Sequence, residues 1–370
     1  MRYSAEIAVD DIGTGVNASI TAPPVAVPDL GFLGVDAFVA TLIDARALKT
    51  AFDVRLVDQL LARDTQTVAE LGASLDIDAS GLELLLGLLA ANRVVTRNGD
   101  KIKLDPAFLA VLEHRDLLET KLDFAGFLLN DFADLFTSLV SDPRGFAGSA
   151  RLYQLFDYRR GLEDKGDNYV RTRAWMQLTS TLTRYEARAA LSLHDFSQYR
   201  AMLDIGGNSG EFLLQLCRQH AQLRGTVVDL PLVCEVGMEH VLSEPEHARI
   251  SFAKRDLRHD PLPGGHDLIS FKSMLHDWPE EQALKFLDKA ADVLEPGGTL
   301  MIFERLPLHF AGGTPPFSII PILLFFRSYR DPAVYIDHLR SRGFDRIERH
   351  EVDLDTRFVL LTAQRSADNG

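Results

Sequence analysis

The feature that most limits how this chain can fold is the alternation in its second half. From residue 201 onward, short apolar runs of β character at 201–205, 226–228, 268–271 and 299–303 are separated by stretches with helical periodicity. Strands that return after a helix-length interval are joined by crossovers rather than hairpins. That predicts a parallel sheet with helices on both faces. Near the end, 345–352 and 357–364 are split by a short turn only and read as an antiparallel pair at the sheet edge. The class expected is α/β, with the sheet domain over about 196–370.

The first half has a different texture. Residues 1–30 carry Gly13, Gly15, Pro23, Pro24 and Pro28 with little periodicity and read as a flexible tail. A helical pattern covers 37–61, then helices are expected over 67–75 and 79–92, followed by β segments at 93–97 and 100–104 flanking Asn98-Gly99, a strong hairpin signal. Helix–turn–helix–hairpin is a winged-helix order, placed here over 31–110. Its would-be reading helix, however, contains Leu82, Leu84, Leu85, Leu86, Leu88 and Leu89, the single acid Glu83, and no Lys or Arg. A helix that apolar belongs against protein, as a structural or dimerising module, and not against phosphates. Residues 111–195 read as a helical connector, interrupted near Asp142-Pro143-Arg144-Gly145.

Charge points the same way. With 39 Lys+Arg against 53 Asp+Glu the net charge is −14, which disfavours a nucleic-acid or anionic-membrane partner. The most apolar later stretch, 319–326, is eight residues long and holds Pro321, too short for a membrane span. Two cysteines, Cys217 and Cys234, offer no disulfide framework, and the N-terminus lacks a targeting pattern, so a cytoplasmic protein is expected.

The chemistry-bearing motifs lie where the predicted strands end. Met202-Leu203-Asp204-Ile205-Gly206-Gly207-Asn208-Ser209-Gly210 closes one strand and opens a helix at Glu211, and its glycines let a ligand approach the backbone closely. The spacing is not that of a dinucleotide fingerprint. Asp229 closes the next strand 23 residues past Gly206 (229 − 206), where an acid can accept both ribose hydroxyls of a nucleoside; a turn or cap role before Leu230-Pro231 is the alternative. Asp256, in Lys254-Arg255-Asp256-Leu257, could sit near an adenine amino group. His276 lies in Phe271-Lys272-Ser273-Met274-Leu275-His276-Asp277-Trp278-Pro279, a loop over the strands' carboxyl ends, where an imidazole can take a proton near neutral pH.

Taken in order, Leu203-Asp204-Ile205-Gly206-Gly207, Val228-Asp229-Leu230-Pro231, Leu275-His276-Asp277-Trp278 and the run 296–304 ending at Glu304 make the chain resemble a known family. It is similar to the class I S-adenosylmethionine-dependent O-methyltransferases of the plant caffeic-acid and bacterial natural-product type, over about 35–365. The resemblance implies a Rossmann-like catalytic domain, a winged-helix-like dimerisation domain, a homodimer, S-adenosylmethionine as cofactor and no metal. It implies that Gly206 and Gly207, with Asp204 beneath them, face the cofactor's methionine part. Asp229 and Leu230 would meet the ribose, Asp256 and Leu257 the adenine, with Lys272 beside it. His276 would be the general base, with Asp277 adjoining and Glu304 orienting it. Ser180 would contact the cofactor's carboxylate, while Met176, Trp175 and Phe325 would line a chamber for an apolar aromatic or polyketide-like acceptor.

Three departures stand out. Asn208 occupies the place of a third glycine, and Asn tolerates left-handed backbone. Leu257 replaces the usual Met or Phe. The family's second carboxylate beside the histidine falls near Tyr329 and Arg330, leaving Asp331 as a substitute. That last change keeps other chemistries in view: methylation of carbon or nitrogen, hydroxylase- or decarboxylase-like use of the same cofactor, and, from another class, a winged-helix regulator.

Overall fold

A computed structural model describes residues 30–155, 157–310 and 313–365; the expected tail lies outside the described residues apart from Leu30. The strands in chain order are β1 (Gln66–Thr67), β2 (Val95–Asn98), β3 (Lys101–Leu104), β4 (Ala201–Ile205), β5 (Arg224–Asp229), β6 (Ile250–Lys254), β7 (His266–Lys272), β8 (Leu294–Arg305), β9 (Arg346–Asp353) and β10 (Arg357–Gln364).

Seven of them form one sheet in the order β6-β5-β4-β7-β8-β10-β9. The first five run parallel, and β10 pairs antiparallel with both β8 and β9. The fold is Rossmann-like α/β. Alternate residues load the two faces, as the pleat requires. Leu203, Ile205, Ile269, Phe271, Leu300 and Ile302 join Phe286 of the helix Glu280–Val293 in one core. Met202, Leu268, Met301, Phe303 and Phe358 join Ala187 and Phe212, from the helices Asn168–Leu193 and Glu211–Gln219, in the other. Chain order reverses between β4 and β7, which opens a crevice at the strands' carboxyl ends.

β6 was not among the apolar runs. As an edge strand it buries little, and Ile250-Ser251-Phe252-Ala253-Lys254 shows no continuous apolar signal.

In the first half, helices Val68–Leu75 and Ala79–Ala91 lie in the chain between β1 and the β2–β3 hairpin, and the three strands form a sheet of order β1-β3-β2. Thr67 and Glu70 form a reciprocal capping box, and Asp78 caps the second helix through the N–H groups of Ser80 and Gly81. Two expectations shift. The helical pattern over 37–61 is divided into a 3-10 stretch, Gly31–Val39, and two helices, Leu42–Asp53 and Leu56–Ala62, broken at Arg55 with φ 63°. In the hairpin Asn98 pairs with Lys101, so the turn is Gly99-Asp100, one residue later than Asn98-Gly99 suggests. Leu82, Leu85, Leu86 and Leu89 of the leucine-rich helix are buried in the core, so most of its apolar face is spent on protein.

Between the halves run the long helices Arg115–Ser141 and Asn168–Leu193. Asp142 and Pro143 end the first and start the next, as their capping chemistry favours. Among the described residues no helix is long and apolar enough to cross a membrane.

Candidate active site

One cavity collects side chains from the carboxyl ends of β4, β5, β7 and β8, from the loop after β6, from the helix Asn168–Leu193, and from residues 321–329. The glycine turn forms its floor. Gly206 has φ 67° and donates its N–H to Val228 O; Asn208, at φ 55°, adopts the left-handed conformation that the sequence change allows. A Cβ on Gly206 would stand 2.4 Å from Met274 Cγ, and one on Gly207 2.6 Å from Asp204 Oδ2, so glycine is required at both.

Two aspartates lie around the turn. Asp204 is buried; its Oδ1 accepts from Ser270 Oγ at 2.5 Å and its Oδ2 has no partner. Burial pushes its pKa up to about 7. Asp229 accepts from the backbone N–H groups of Leu230 (2.7 Å) and Asn208 (2.9 Å), tying the turn to the end of β5. Burial raises Asp229 to about 6 despite these donors. Each carboxylate oxygen keeps lone-pair capacity for a further donor.

Asp256 and Leu257 line the cavity after β6, but the Asp256 carboxylate grips Arg258 through Nε (2.9 Å) and Nη2 (2.7 Å). Lys272, expected beside the adenine with Asp256, sits on β7, which β5 and β4 separate from β6. Its ammonium reaches Thr183 Oγ1 at 2.8 Å and the buried Glu186. Glu186 also accepts from Arg305 Nη2 at 2.8 Å.

The loop that carries His276 is held from below. Glu304, at the end of β8, accepts the N–H groups of Met274 and Leu275 on Oε1, each at 2.8 Å, and holds His276 Nδ1 on Oε2 at 2.7 Å. A carboxylate only accepts, so Nδ1 carries the proton and Nε2 keeps its lone pair. Burial works against the imidazolium, but Glu304 and Asp277 outweigh it and raise the His276 pKa above 6.5. Burial likewise opposes ionisation of Glu304, yet His276 and the two N–H donors hold it below the ordinary carboxylate range. Asp277 Oδ1 lies 3.4 Å from His276 Nε2, and burial lifts Asp277 to about 6.

Asp331 does not supply the second flanking carboxylate. It is exposed and caps the helix Pro332–Ser341 through Ala333 N at 2.9 Å. In its stead the buried Tyr329 ring stands 5.2 Å from the imidazole, and Arg330 pins the loop by donating to the carbonyls of Leu275 (2.8 Å) and Trp278.

The remaining walls are apolar. Met176 is buried, Trp175 meets Phe124 edge-on at 5.7 Å, and Phe325 stands 6.2 Å from the His276 ring. Ser180 Oγ lies 2.5 Å from Met176 O and 2.6 Å from Ser209 Oγ, under the glycine turn. Tyr158, Glu186 and Arg305 were not singled out from the sequence, and Tyr329 and Arg330 only as the place where a second carboxylate is missing. Their partners lie on other elements, and no local spacing announces them.

This arrangement suits a nucleoside-bearing cationic cofactor: a turn that excludes Cβ atoms, a doubly anchored carboxylate at the tip of β5, and an unpartnered carboxylate oxygen on Asp204 beneath the glycines. Beside that crevice stands a histidine held by a carboxylate, a pair that can take up a proton.

Comparison with known proteins agrees. Residues 154–320 match the model of an O-methyltransferase domain. The chain is similar to 3-hydroxy-5-methyl-1-naphthoate 3-O-methyltransferase of Streptomyces sahachiroi, 39% identical over 168 residues, 44% of this chain and 48% of that one. The alignment thus spans about half the length of that relative. The N,N-dimethyltransferase OxyT of Streptomyces rimosus is 30% identical over 265 residues, 71% of this chain and 75% of that one. The solved structure of human N-acetylserotonin methyltransferase in complex with SAM superposes with a TM-score of 0.68 at 21% identity, covering 87% of this chain and 94% of that one. The chain belongs to the O-methyltransferase family of S-adenosylmethionine-dependent enzymes.

Proposed function

We propose that this chain transfers a methyl group from S-adenosylmethionine to a hydroxyl of an apolar aromatic or polyketide-like small molecule, with His276 as the base. The observation that carries the reading is the Glu304–His276 pair, whose 2.7 Å contact leaves Nε2 as acceptor on the wall of the cavity that the glycine turn floors. Bound S-adenosylmethionine supplies an electrophilic methyl on a sulfonium. Gly206, Gly207 and Asp204 would hold its amino-acid end with Ser180, Asp229 and Leu230 its ribose, and Asp256 and Leu257 its base. Lys272 acts here through Glu186, bracing the wall. His276 takes the proton of the acceptor hydroxyl, which at a phenol pKa of about 10 is barely ionised at neutral pH. Glu304 and Asp277 stabilise the imidazolium that results. Met176, Trp175 and Phe325 orient the acceptor's apolar body.

The test uses methyl-labelled S-adenosylmethionine with 3-hydroxy-5-methyl-1-naphthoate and a panel of hydroxylated aromatics. Label on oxygen supports the reading; label on nitrogen or carbon, or product without label, overturns it. A second reading, methylation of nitrogen, draws on the alignment to OxyT, which covers more of both chains, and on Tyr329 in place of a second carboxylate.

The assembly proposed is a homodimer. Leu42, Ile43 and Leu84 leave an apolar groove on the first half, Ile43 being 61% and Leu84 66% exposed. Light scattering showing a monomer at micromolar concentration would end that proposal. The buried thiols of Cys217 and Cys234 suit the proposed cytoplasmic setting.

A further inference from the structure

Beside the His276–Glu304 pair the same loop carries a second carboxylate, Asp277, whose own orientation has to be fixed for it to act on the ring. Asp277 Oδ1 faces His276 Nε2 at 3.4 Å, while Oδ2 accepts a 3.1 Å hydrogen bond from the Tyr158 hydroxyl. Tyr158 belongs to a segment that precedes the helix Asn168–Leu193 and lines the same cavity. Its ring packs on Trp278 with centroids 4.4 Å apart, and Trp278 meets Phe286 edge-on at 5.1 Å. Three residues on, Gly161 lies so close to Leu230 that a Cβ there would stand 2.7 Å from Leu230 Cδ1. The segment therefore crosses from the end of β5 to the catalytic loop and is pinned at both ends.

We propose that Tyr158 is a positioning residue for the base: its hydroxyl holds Asp277 ionised and turned toward His276 Nε2, so that the imidazolium formed on proton uptake sits between two carboxylates. The proposal rests on the reading of His276 as the base. A carboxylate with one oxygen anchored has a fixed plane, and a donor on that oxygen disfavours its protonation. An ionised carboxylate beside the ring in turn favours the charged ring. The groups that face Asp277 are His276, Glu304, Tyr158 and Arg330, with Asp229, Tyr153 and Tyr329 further out. Arg330 spends donors on the carbonyls of Leu275 and Trp278, whereas the Tyr158 hydroxyl is directed at Oδ2.

The test needs no acceptor. The full chain, labelled with 15N-histidine and saturated with S-adenosylhomocysteine, is titrated by NMR, with His276→Gln assigning the signal. Tyr158→Phe keeps the ring on Trp278 and removes the hydroxyl. The expected result is a fall in the His276 pKa of about half a unit or more, with S-adenosylhomocysteine affinity within about twofold by calorimetry. Asp277→Asn should lower it at least as far, and adding Tyr158→Phe to that variant should change nothing more. An unmoved His276 pKa in either single variant overturns the proposal, as does a further fall in the double variant. Failure of His276 as base would show separately, as undiminished turnover in His276→Ala.

Discussion

Glu304 divides its two oxygens between backbone and ring. Oε1 fixes the loop through Met274 and Leu275, and Oε2 fixes the tautomer of His276, so one side chain sets both where the proposed base stands and which nitrogen is free. Replacing His276 with alanine should therefore spare the crevice and remove the proton acceptor. The expected outcome is a fall in kcat of roughly 100-fold or more with S-adenosylhomocysteine affinity nearly unchanged. Because the working form is neutral and its pKa is raised above 6.5, kcat should climb with pH through a value above 6.5; an acid limb centred below that would contradict the placement. Asp229→Ala makes the reverse split. It removes the carboxylate that ties Asn208 to Leu230, and calorimetry should show cofactor affinity reduced by about tenfold or more.

The turn between β4 and the helix Glu211–Gln219 shows why some elements could be read from sequence and others not. Its constraint is local: Gly206 at φ 67° has no room for a Cβ beside Met274. Gly206→Ala should cost about 1–3 kcal/mol of stability by thermal or denaturant unfolding and weaken cofactor binding, whereas the same change at Gly99, where nothing lies within 4 Å, should cost only the strain of its φ of 65°. Equal losses at the two sites would show that crowding at the turn is not what selects glycine. Features of this local kind, such as the turn, the β5 tip at Asp229 and the β9–β10 pair, are written in short windows. The strand β6 was not, because an edge strand needs no apolar run. Nor was the break at Arg55, since no Gly or Pro marks it. The direction of Lys272 depends on Glu186, 86 residues earlier on another element, and Tyr158 reaches Asp277 across 119 residues. Pairings of that range are properties of the packed molecule, invisible to spacing.

Across the whole molecule, buried charge is concentrated where the two halves meet the crevice. Asp36 and Lys121 from the first half pair at 2.7 Å, Lys121 lies 3.9 Å from Asp355, and Asp355 is 3.6 Å from Arg305, which holds Glu186 and through it Lys272. That chain is balanced in charge. The carboxylates around the crevice are not: Asp204 rises to about 7, and Asp229 and Asp277 to about 6. Each binds its proton more tightly folded than unfolded, where Asp titrates near 3.9. Their contribution to stability is therefore complete below about pH 4 and is lost as pH rises through about 6 to 7. Glu186, held at about 2, has the opposite sign, but its stabilisation disappears only in strong acid, outside this window. Burial lowers His194 and His266, which gain stability as pH rises in the same window, but the three crevice carboxylates and His276 act together against them, so ligand-free protein should lose thermal stability between pH 5 and 7.5. Asp204→Asn keeps the acceptor for Ser270 and cannot ionise, so its Tm should gain on that of the parent by several degrees across the same interval. Saturation with S-adenosylmethionine, a cation that lowers the carboxylate pKa values, should flatten the parent's slope. A Tm difference that stays constant from pH 5 to 7.5 would mean that Asp204 does not titrate in the folded protein, and the tie between the crevice's acidity and its cationic ligand would fall with it.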